Sequence, residues 1–364
     1  MSQQIFSKDD WLDRVERKSE SKGSRQVAET SLSMFNYFCK DEGVKQEEKI
    51  NSYLTCQKDG NVDSIYQDLD KFVQFLNEDH ENIILNKDLI PLTFRKKNPR
   101  TIMTYFGFIK SYLRICYRIK LHSDDIKDFI QFPKIRKTQR KAVSIQVLKT
   151  VFNNASPRQR ALYYVLVSSG MRLGEVLALT PKDFHMEENP VRITIDAEIT
   201  KTKESRETYI SSEAVEKLKP FLEGKADNEK VLCNYDKIKY AVEHEDRLFR
   251  ALCKRLKLVE KYPNSPRNVV NIHAFRAYFH TKASQKHGVE YANALDGHGA
   301  YLKQYYRETD EERAKKYKEL EPSLFIESIK LETEKTKDKT IEILQAQIQK
   351  MQDRMERIEL LNKE

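Results

Sequence analysis

The sequence has few cysteines and no long apolar run, and each absence excludes a class of protein. The five cysteines are widely separated and form no CxxC pair, so the sequence predicts neither a zinc site nor a disulfide framework. A reducing, cytoplasmic environment is therefore expected. No run of about 18 apolar residues and no signal peptide is present, so no membrane span is expected.

Positive charge and aromatic residues are what the sequence does contain. Lys and Arg number 65 against 56 Asp and Glu, which gives a formal net charge of +9 and a pI near 9.0. This balance favours an anionic partner, most often nucleic acid, although a basic protein without such a partner would have the same composition. The 18 Tyr and 17 Phe residues predict folded cores rather than a disordered chain.

The chain divides into five segments, and the predicted fold is mainly α with a small antiparallel β-hairpin or sheet. Residues 1–25 are polar and are predicted to form a short helix or an N-terminal arm. Residues 26–132 carry apolar residues at helical spacing, which predicts a helical domain. Residues 133–141, PKIRKTQRK, contain five basic residues and no acid, which indicates an extended linker. Residues 142–325 combine helical patterns with a hairpin predicted from VRITIDAEI and TYIS. Residues 326–364 repeat apolar residues by three and four, which predicts a C-terminal coiled coil or a lone amphipathic helix.

Basic residues occur where they could contact DNA phosphates. Lys110 and Arg114 lie largely outside the apolar stripe of a predicted helix, and a solvated helix face is the alternative interpretation. A basic linker could follow a DNA backbone between two domains that clamp the duplex. Its candidate contacts are Lys134, Arg136, Lys137, Arg140 and Lys141.

Residues suited to phosphodiester chemistry recur in four motifs. In chain order these are SSGMRLGEVLAL with Arg172 and Glu175, KTK with Lys201 and Lys203, HAFR with His273 and Arg276, and LDGHG with His298, followed by Tyr305 and Tyr306. Arginine forks can match the charge of the nonbridging oxygens. A histidine can exchange protons near neutral pH, a lysine can protonate a leaving 5′ oxygen, and a tyrosine can attack phosphorus. This chemistry requires neither a metal nor ATP, so no cofactor is predicted.

Taken singly, each motif is common by chance, but their order resembles a known family. SGMRLGEVLAL, the hairpin lysine, HAFR, LDGHG and a following tyrosine resemble the catalytic domain of the tyrosine recombinases, the phage integrase family, over roughly residues 142–320. The phrases KTKESRETYIS and GAYLKQYYR are most similar to archaeal integrases. The resemblance implies a helical core DNA-binding domain and a mixed α/β catalytic domain that together clamp DNA.

The resemblance also implies a role for each site residue. Arg172 and Arg276 would be the two arginines, His273 and His298 the two histidines, Glu175 the acid that supports the first arginine, and Lys201 the lysine, with Lys203 as the alternative. Many members place the nucleophile where this chain has Arg307. Tyr305 fits the frequent tyrosine-x-arginine pattern and is the chosen nucleophile, with Tyr306 as the alternative.

The implied function is site-specific recombination of DNA. Such an enzyme would cleave and rejoin strands through a 3′-phosphotyrosine intermediate, as a homo-tetramer on double-stranded DNA that carries an attachment site, and would integrate or excise a viral or mobile element at the nucleoid of its host. The alternatives are a type IB topoisomerase, a resolvase of chromosome dimers, and a non-catalytic architectural DNA-binding protein.

Overall fold

The computed structural model describes residues 5–84, 91–136, 139–200, 202–263, 267–298 and 308–327. The chain forms two compact units, Met1–Lys137 and Thr138–Glu364. The boundary falls within the segment 133–141, and residues 131–136 and 139–144 have no regular secondary structure. Each unit has its own hydrophobic core.

The first unit is helical, with one short hairpin. Its helices are α1 (Lys8–Ser19), α2 (Lys22–Asp41), α3 (Gln46–Lys58), α4 (Asp63–Asn77), α5 (Pro99–Tyr117) and α6 (Ser123–Phe129). Between α4 and α5, strands β1 (His80–Ile84) and β2 (Pro91–Phe94) pair antiparallel. The sequence does not predict this hairpin, because neither HENII nor PLTF alternates apolar and polar residues clearly enough to indicate a strand.

Helix α1 packs into the core of the first unit and is not a loose arm. The Ser7 side chain accepts a hydrogen bond from the Asp10 amide at 3.1 Å, and Asp10 accepts one from the Ser7 amide at 3.0 Å, which caps the helix. Trp11 is fully buried, and its indole donates to Ser111 Oγ at 3.2 Å. Its ring meets Tyr112 edge-on, with centroids 5.2 Å apart. A buried tryptophan contributes a large apolar area, so Trp11 anchors α1 on α5.

The second unit consists of helices and a three-stranded sheet. These helices are α7 (Ile145–Asn153), α8 (Pro157–Ser169), α9 (Leu173–Ala178), α10 (Ser212–Leu222), α11 (Ile238–Arg255), α12 (His273–His287), α13 (Val289–Asp296) and α14 (Asp310–Leu320). Strands β3 (Phe184–His185), β4 (Val191–Ile195) and β5 (Arg206–Ile210) form an antiparallel sheet in the order β3-β4-β5. The predicted hairpin is β4–β5, in which Val191 pairs with Ile210 and Ile195 with Arg206.

Helix α8 lies at the centre of the second unit. Every residue from Ala161 to Ser169 is buried, so the helix has no solvent face after its first turn. Because an apolar helix without a polar face can only be buried, the sequence RALYYVLVSS determines this position. The helix ends at Gly170, whose left-handed φ of +67° turns the chain towards α9.

The last described residues pack against the same unit. Ile326 is buried, and Glu213 of α10 accepts hydrogen bonds from the amides of Ile326 at 2.6 Å and Glu327 at 3.0 Å. The coiled coil predicted for residues 326–364 lies outside the described residues from 328 onwards. Within the described part of the chain, no helix is both long enough and apolar enough to cross a membrane.

Candidate active site

The turn between α8 and α9 brings the first arginine motif against α12. At Gly170, a Cβ atom would lie 2.2 Å from Cδ1 of Phe279, a buried residue of α12, so only glycine fits there. Arg276, on the same helix as Phe279, donates from Nη1 to the Gly170 carbonyl at 2.7 Å. The turn and the HAFR helix are therefore held together by close packing and by a hydrogen bond.

Glu175 orients Arg172 through two contacts. Arg172 precedes α9, and its amide donates to Glu175 Oε2 at 2.8 Å while its Nη1 donates to Oε1 at 2.8 Å. Glu175 is almost fully buried. Burial alone would raise the pKa of its carboxyl, but the hydrogen bonds and charges of Arg206 and Arg172 outweigh burial and lower it. The carboxylate is thus ionised and fixes the Arg172 side chain.

Arg206 is the other partner of Glu175. From β5 it donates to both carboxylate oxygens, with Nη1 to Oε1 at 3.2 Å and Nη2 to Oε2 at 2.5 Å. Its Nε donates to the Leu295 carbonyl at 3.0 Å. A Cβ at Gly297 would lie 3.1 Å from the Arg206 guanidinium. Arg206 therefore ties the arginine turn to the end of α13, where the LDGHG motif lies.

Arg276 lies at the buried centre of the site. Its Nη2 is 3.1 Å from Nδ1 of His298 and 3.6 Å from Oδ1 of Asp296. Burial lowers the pKa of Arg276 to about 10, and the charge of Arg172 adds to this, while Asp296 opposes it. A group with that pKa is still charged at neutral pH, so two cationic arginines converge on one side of the site.

Asp296 and two histidines form a cluster beside Arg276. The fully buried Asp296 carboxylate lies 2.8 Å from Nδ1 of His280 through Oδ2 and 2.9 Å from Nδ1 of His298. The His298 amide also donates to Asp296 Oδ1 at 2.9 Å. His280 and His298 meet edge to face with ring centroids 5.6 Å apart. The side chain of His298 remains half exposed, so it is accessible to a ligand.

His273 begins α12 and faces the same group of charges. Partial burial lowers the pKa of its imidazole, and the positive charges of Arg276, Arg140 and Arg172 and the nearby His298 lower it further. His273 is therefore neutral at neutral pH. A neutral imidazole can accept a proton, which suits a general base. The contribution of Arg140 shows that one predicted linker contact lies near the site.

The lysine and tyrosine predictions are only partly within the described residues. Lys201, Tyr305 and Tyr306 lie outside them, as does Arg307. Lys203 is exposed in the β4–β5 connection and has a left-handed φ of +57°. The structure therefore brings together Arg172, Glu175, His273, Arg276 and His298.

The predicted DNA contacts are surface residues with different surroundings. In the first unit, Lys110 and Arg114 of α5 line a cavity of about 370 Å³ together with Arg14 and Lys18 of α1. Lys134, Arg136 and Arg140 are exposed, and Lys137 lies outside the described residues. Lys141 pairs with Glu260, so its charge is already partly matched. The two α1 residues are not among the predicted DNA contacts, since the sequence indicates only a short helix or an arm there.

Two groups of side chains have the spacing of metal ligands among the described residues. One is His280, Asp296 and His298, whose ligand atoms lie within 4.8 Å of one another, and the other is His185, Glu187 and Glu188 at the surface. The first group faces the Arg276 guanidinium, which opposes a second cation at that place. Its hydrogen bonds already account for the arrangement of its side chains.

Two residues of the site, Arg206 and Asp296, are not predicted from the sequence, although each carries a signal. Arg206 shares the inward face of β5 with Thr208 and Ile210, and a charge on an inward face indicates a buried ion pair. Asp296 is the last residue of α13, where the helix dipole disfavours a negative charge. The spacing of His273, Arg276 and His280 does predict one shared helix face, but it assigns no role to His280.

Comparison with known proteins decides the family. The profile described as the phage integrase family matches residues 120–312, more than half of the 364-residue chain. The chain belongs to the phage integrase family. This membership makes it a site-specific tyrosine recombinase, an enzyme that breaks and rejoins DNA strands.

Several solved structures of recombinases are similar to this family member. The XerA recombinase is 17% identical, with 86% of this chain and 98% of that chain covered and a TM-score of 0.37. A lambda integrase (75–356) dimer bound to a COC′ core site is 11% identical. The match covers 84% of this chain and 99% of that chain, with a TM-score of 0.45. The integrase from mycobacterium phage Brujita is 17% identical. The match covers 86% of this chain and 92% of that chain, with a TM-score of 0.39. No curated protein sequence matches the chain.

Proposed function

We propose that this recombinase integrates or excises a viral or mobile element at a specific DNA attachment site, through a 3′-phosphotyrosine intermediate. The observation that carries the proposal is the convergence of Arg172, His273, Arg276 and His298 around the α8–α9 turn. Two arginines and a histidine provide donors for the nonbridging oxygens of one phosphodiester. The similarity of KTKESRETYIS and GAYLKQYYR to archaeal integrases supports an archaeal element as its source.

Each residue of the site would have its own role in the cleavage reaction. Arg172 and Arg276 bind the scissile phosphate, and His298 donates a further hydrogen bond to it. Neutral His273 accepts the proton of the attacking phenol, because its lowered pKa keeps it unprotonated at neutral pH. Tyr305 attacks phosphorus, with Tyr306 as the alternative, and Lys201 protonates the leaving 5′ oxygen, with Lys203 as the alternative. The reaction conserves bond energy, so it needs no ATP, and the donors replace a metal.

The first unit would hold the other side of the DNA. Arg14, Lys18, Lys110 and Arg114 place four positive charges around one cavity between α1 and α5, a concentration that suits a phosphate backbone. The basic linker 133–141 would follow the duplex between the two units, with Arg140 nearest the active site. A homo-tetramer on two DNA sites, joined in part by a C-terminal coiled coil, would complete the recombining complex in the cytoplasm, at the nucleoid of the host.

Covalent capture from a library tests this function against topoisomerase action. The full-length protein would be incubated with random-sequence duplexes that carry a nick, and denaturant-resistant protein–DNA adducts would be recovered and sequenced. A site-specific recombinase enriches one motif with inverted half-sites. Adducts without sequence enrichment would contradict the proposal in favour of relaxation at any sequence, and binding without any adduct would favour an architectural protein.

A further inference from the structure

Asp296, His280 and His298 form a hydrogen-bonded cluster beside Arg276. We propose that Asp296 is a positioning residue, which holds His298 with its Nδ1 proton inward and its Nε2 directed to the scissile phosphate, and that His280 fixes Asp296 for this task. The inference rests on the proposed function, in which His298 binds that phosphate. Asp296 and His280 would then contribute to cleavage without touching the DNA.

The hydrogen bonds of Asp296 determine which nitrogen of His298 is protonated. Both oxygens of the Asp296 carboxylate lie 2.9 Å from His298 Nδ1, and the carboxylate is fully buried. A lone pair on Nδ1 would face this negative charge, whereas an N–H forms a charge-assisted hydrogen bond. Arg276 Nη2 also lies 3.1 Å from Nδ1, but it competes with two carboxylate oxygens at 2.9 Å, so Nδ1 carries the proton and donates to Asp296. The other nitrogen, Nε2, can bind a phosphate oxygen once it too is protonated.

The charge of Asp296 also serves Arg276. The fully buried carboxylate lies 2.9 Å from His298 Nδ1 and 3.6 Å from Arg276 Nη2, and Nη2 lies 3.1 Å from the same Nδ1. A negative charge at these distances attracts both the guanidinium and the Nδ1–H group. Asp296 is thus the counter-ion shared by two phosphate-binding groups.

His280 fixes the second oxygen of the carboxylate. Its Nδ1 lies 2.8 Å from Asp296 Oδ2, and its side chain is 31% exposed on the solvent side of the cluster. A carboxylate that is held by donors on both sides has one orientation. It therefore also fixes the orientation of the His298 imidazole ring. A metal ion bound by these three side chains would lie near Arg276, and the positive charge of the guanidinium would repel it.

The first test compares Asp296→Asn with wild type in the full-length protein. Asparagine keeps the size of the side chain but removes its charge. Single-turnover adduct formation on a nicked attachment-site duplex should slow by about 10- to 100-fold, the loss typical of a residue that orients a binding group. DNA affinity, measured by fluorescence anisotropy, should change less than about twofold, because the charge lost does not face the DNA surface directly.

A spectroscopic measurement and a double mutant separate positioning from a purely structural role. Nitrogen NMR of labelled histidines should show the His298 Nδ1 proton in wild type and its loss in Asp296→Asn. In a His298→Ala background, Asp296→Asn should slow adduct formation less than about threefold, because the residue acts through His298. An equal loss in both backgrounds, or an unchanged rate in Asp296→Asn, would overturn the proposal.

His280 variants test the network from its solvent side, even if Asp296→Asn fails to fold. His280→Leu removes the donor and should slow adduct formation severalfold. His280→Asn keeps an N–H near the position of Nδ1 and should be faster than His280→Leu. Thr281→Ala, at the exposed neighbouring position of α12, is the matched control and should equal wild type. Equal rates for His280→Leu and wild type would contradict the support role.

The outcome for wild type distinguishes this inference from the proposed function. If wild type forms no adduct on a DNA that it binds, the function fails. If wild type forms the adduct and Asp296→Asn forms it equally fast, the function stands and only the positioning role fails.

Discussion

At the residue scale, the site depends on a buried ion pair between two separate segments of the sequence, Glu175 and Arg206. Glu175 is held between Arg172 and Arg206, and Arg206 also reaches the end of α13. Removal of Arg206 would leave Glu175 buried with only the partly exposed Arg172 as partner. Breaking a buried pair from one side costs about 3–5 kcal/mol because a charge remains without its partner.

Arg206→Met is therefore expected to reduce the free energy of unfolding of the second unit by about 3 kcal/mol or more. Hydrogen exchange in increasing urea, followed on peptides of α9 and β5, measures this loss. Arg192→Met is the matched control on the neighbouring strand. Arg192 pairs with the more exposed Glu188 and Glu207, so the expected cost is about 1 kcal/mol or less. Equal losses in the two variants would contradict the assigned role of Arg206.

His273 should make the stability of the folded chain depend on pH. Its pKa in the folded chain should lie below the ordinary value of about 6.5, because of partial burial and then the charge of Arg276, with a contribution from Arg140. As the pH falls through 6.5 the unfolded chain takes up the proton first, so His273 costs the folded state stability in acid. Above pH 6.5 this cost vanishes.

Proton NMR of the free protein across this pH range measures the His273 pKa directly. Arg140→Gln should raise it, because one positive charge is removed. Lys203→Gln removes a positive charge that is not among the main causes of the His273 shift, so it is the control and should change the His273 pKa less. A His273 pKa at or above 6.5 in wild type would contradict the assignment of a neutral base.

At the scale of elements, the α8–α9 turn is the device that joins the two arginine motifs. Gly170→Ala introduces a Cβ 2.2 Å from Phe279 at a left-handed φ of +67°. Phe279 is fully buried and cannot move away freely. The free energy of unfolding of the variant is expected to fall by about 1–2 kcal/mol because alanine disfavours a left-handed φ, and to fall further because of the clash. Adduct formation should also slow, since Gly170 carries the carbonyl that holds Arg276.

Gly224→Ala is the matched control for this prediction. Gly224 has φ +75°, but nothing lies within 4 Å of its added Cβ. Its free energy of unfolding should fall only by the cost of the left-handed φ, about 1–2 kcal/mol, and its rate of adduct formation should equal that of wild type. Thermal denaturation and the adduct assay measure the two effects. A Gly170→Ala protein as stable and as fast as Gly224→Ala would show that the turn does not set the geometry of the site.

The elements also show which parts of the structure the sequence can predict. Helix α8 and the β4–β5 hairpin follow from a continuous apolar run and a clear alternation, because both patterns are local. The β1–β2 hairpin lacks alternation, and the burial of α1 depends on Trp11 meeting Ser111 and Tyr112 far along the chain. Arg206 and Asp296 join the site through contacts across long sequence separations, so their partners could not be read from either motif alone.

At the scale of the whole molecule, DNA affinity should depend on salt through the basic residues of the first unit. Arg14, Lys18, Lys110 and Arg114 line one cavity. Each alanine variant should weaken binding similarly on all sequences and reduce the slope of log affinity against log salt by about 1. Lys127→Ala, whose charge pairs with Asp124 on α6, is the control. A slope in the Arg14 and Lys18 variants equal to that of wild type would contradict the role of α1.

The proposed mechanism requires that a tyrosine of this chain form a covalent bond with DNA. It is tested most directly with a nicked suicide duplex that carries the attachment site or the motif selected from the library. Wild type, Tyr305→Phe and Tyr306→Phe would be incubated with it and resolved under denaturing conditions. The predicted result is a protein–DNA adduct in wild type and in Tyr306→Phe that is lost in Tyr305→Phe. Loss only in Tyr306→Phe would keep the mechanism and move the nucleophile by one residue, whereas no wild-type adduct on bound DNA would contradict the mechanism itself.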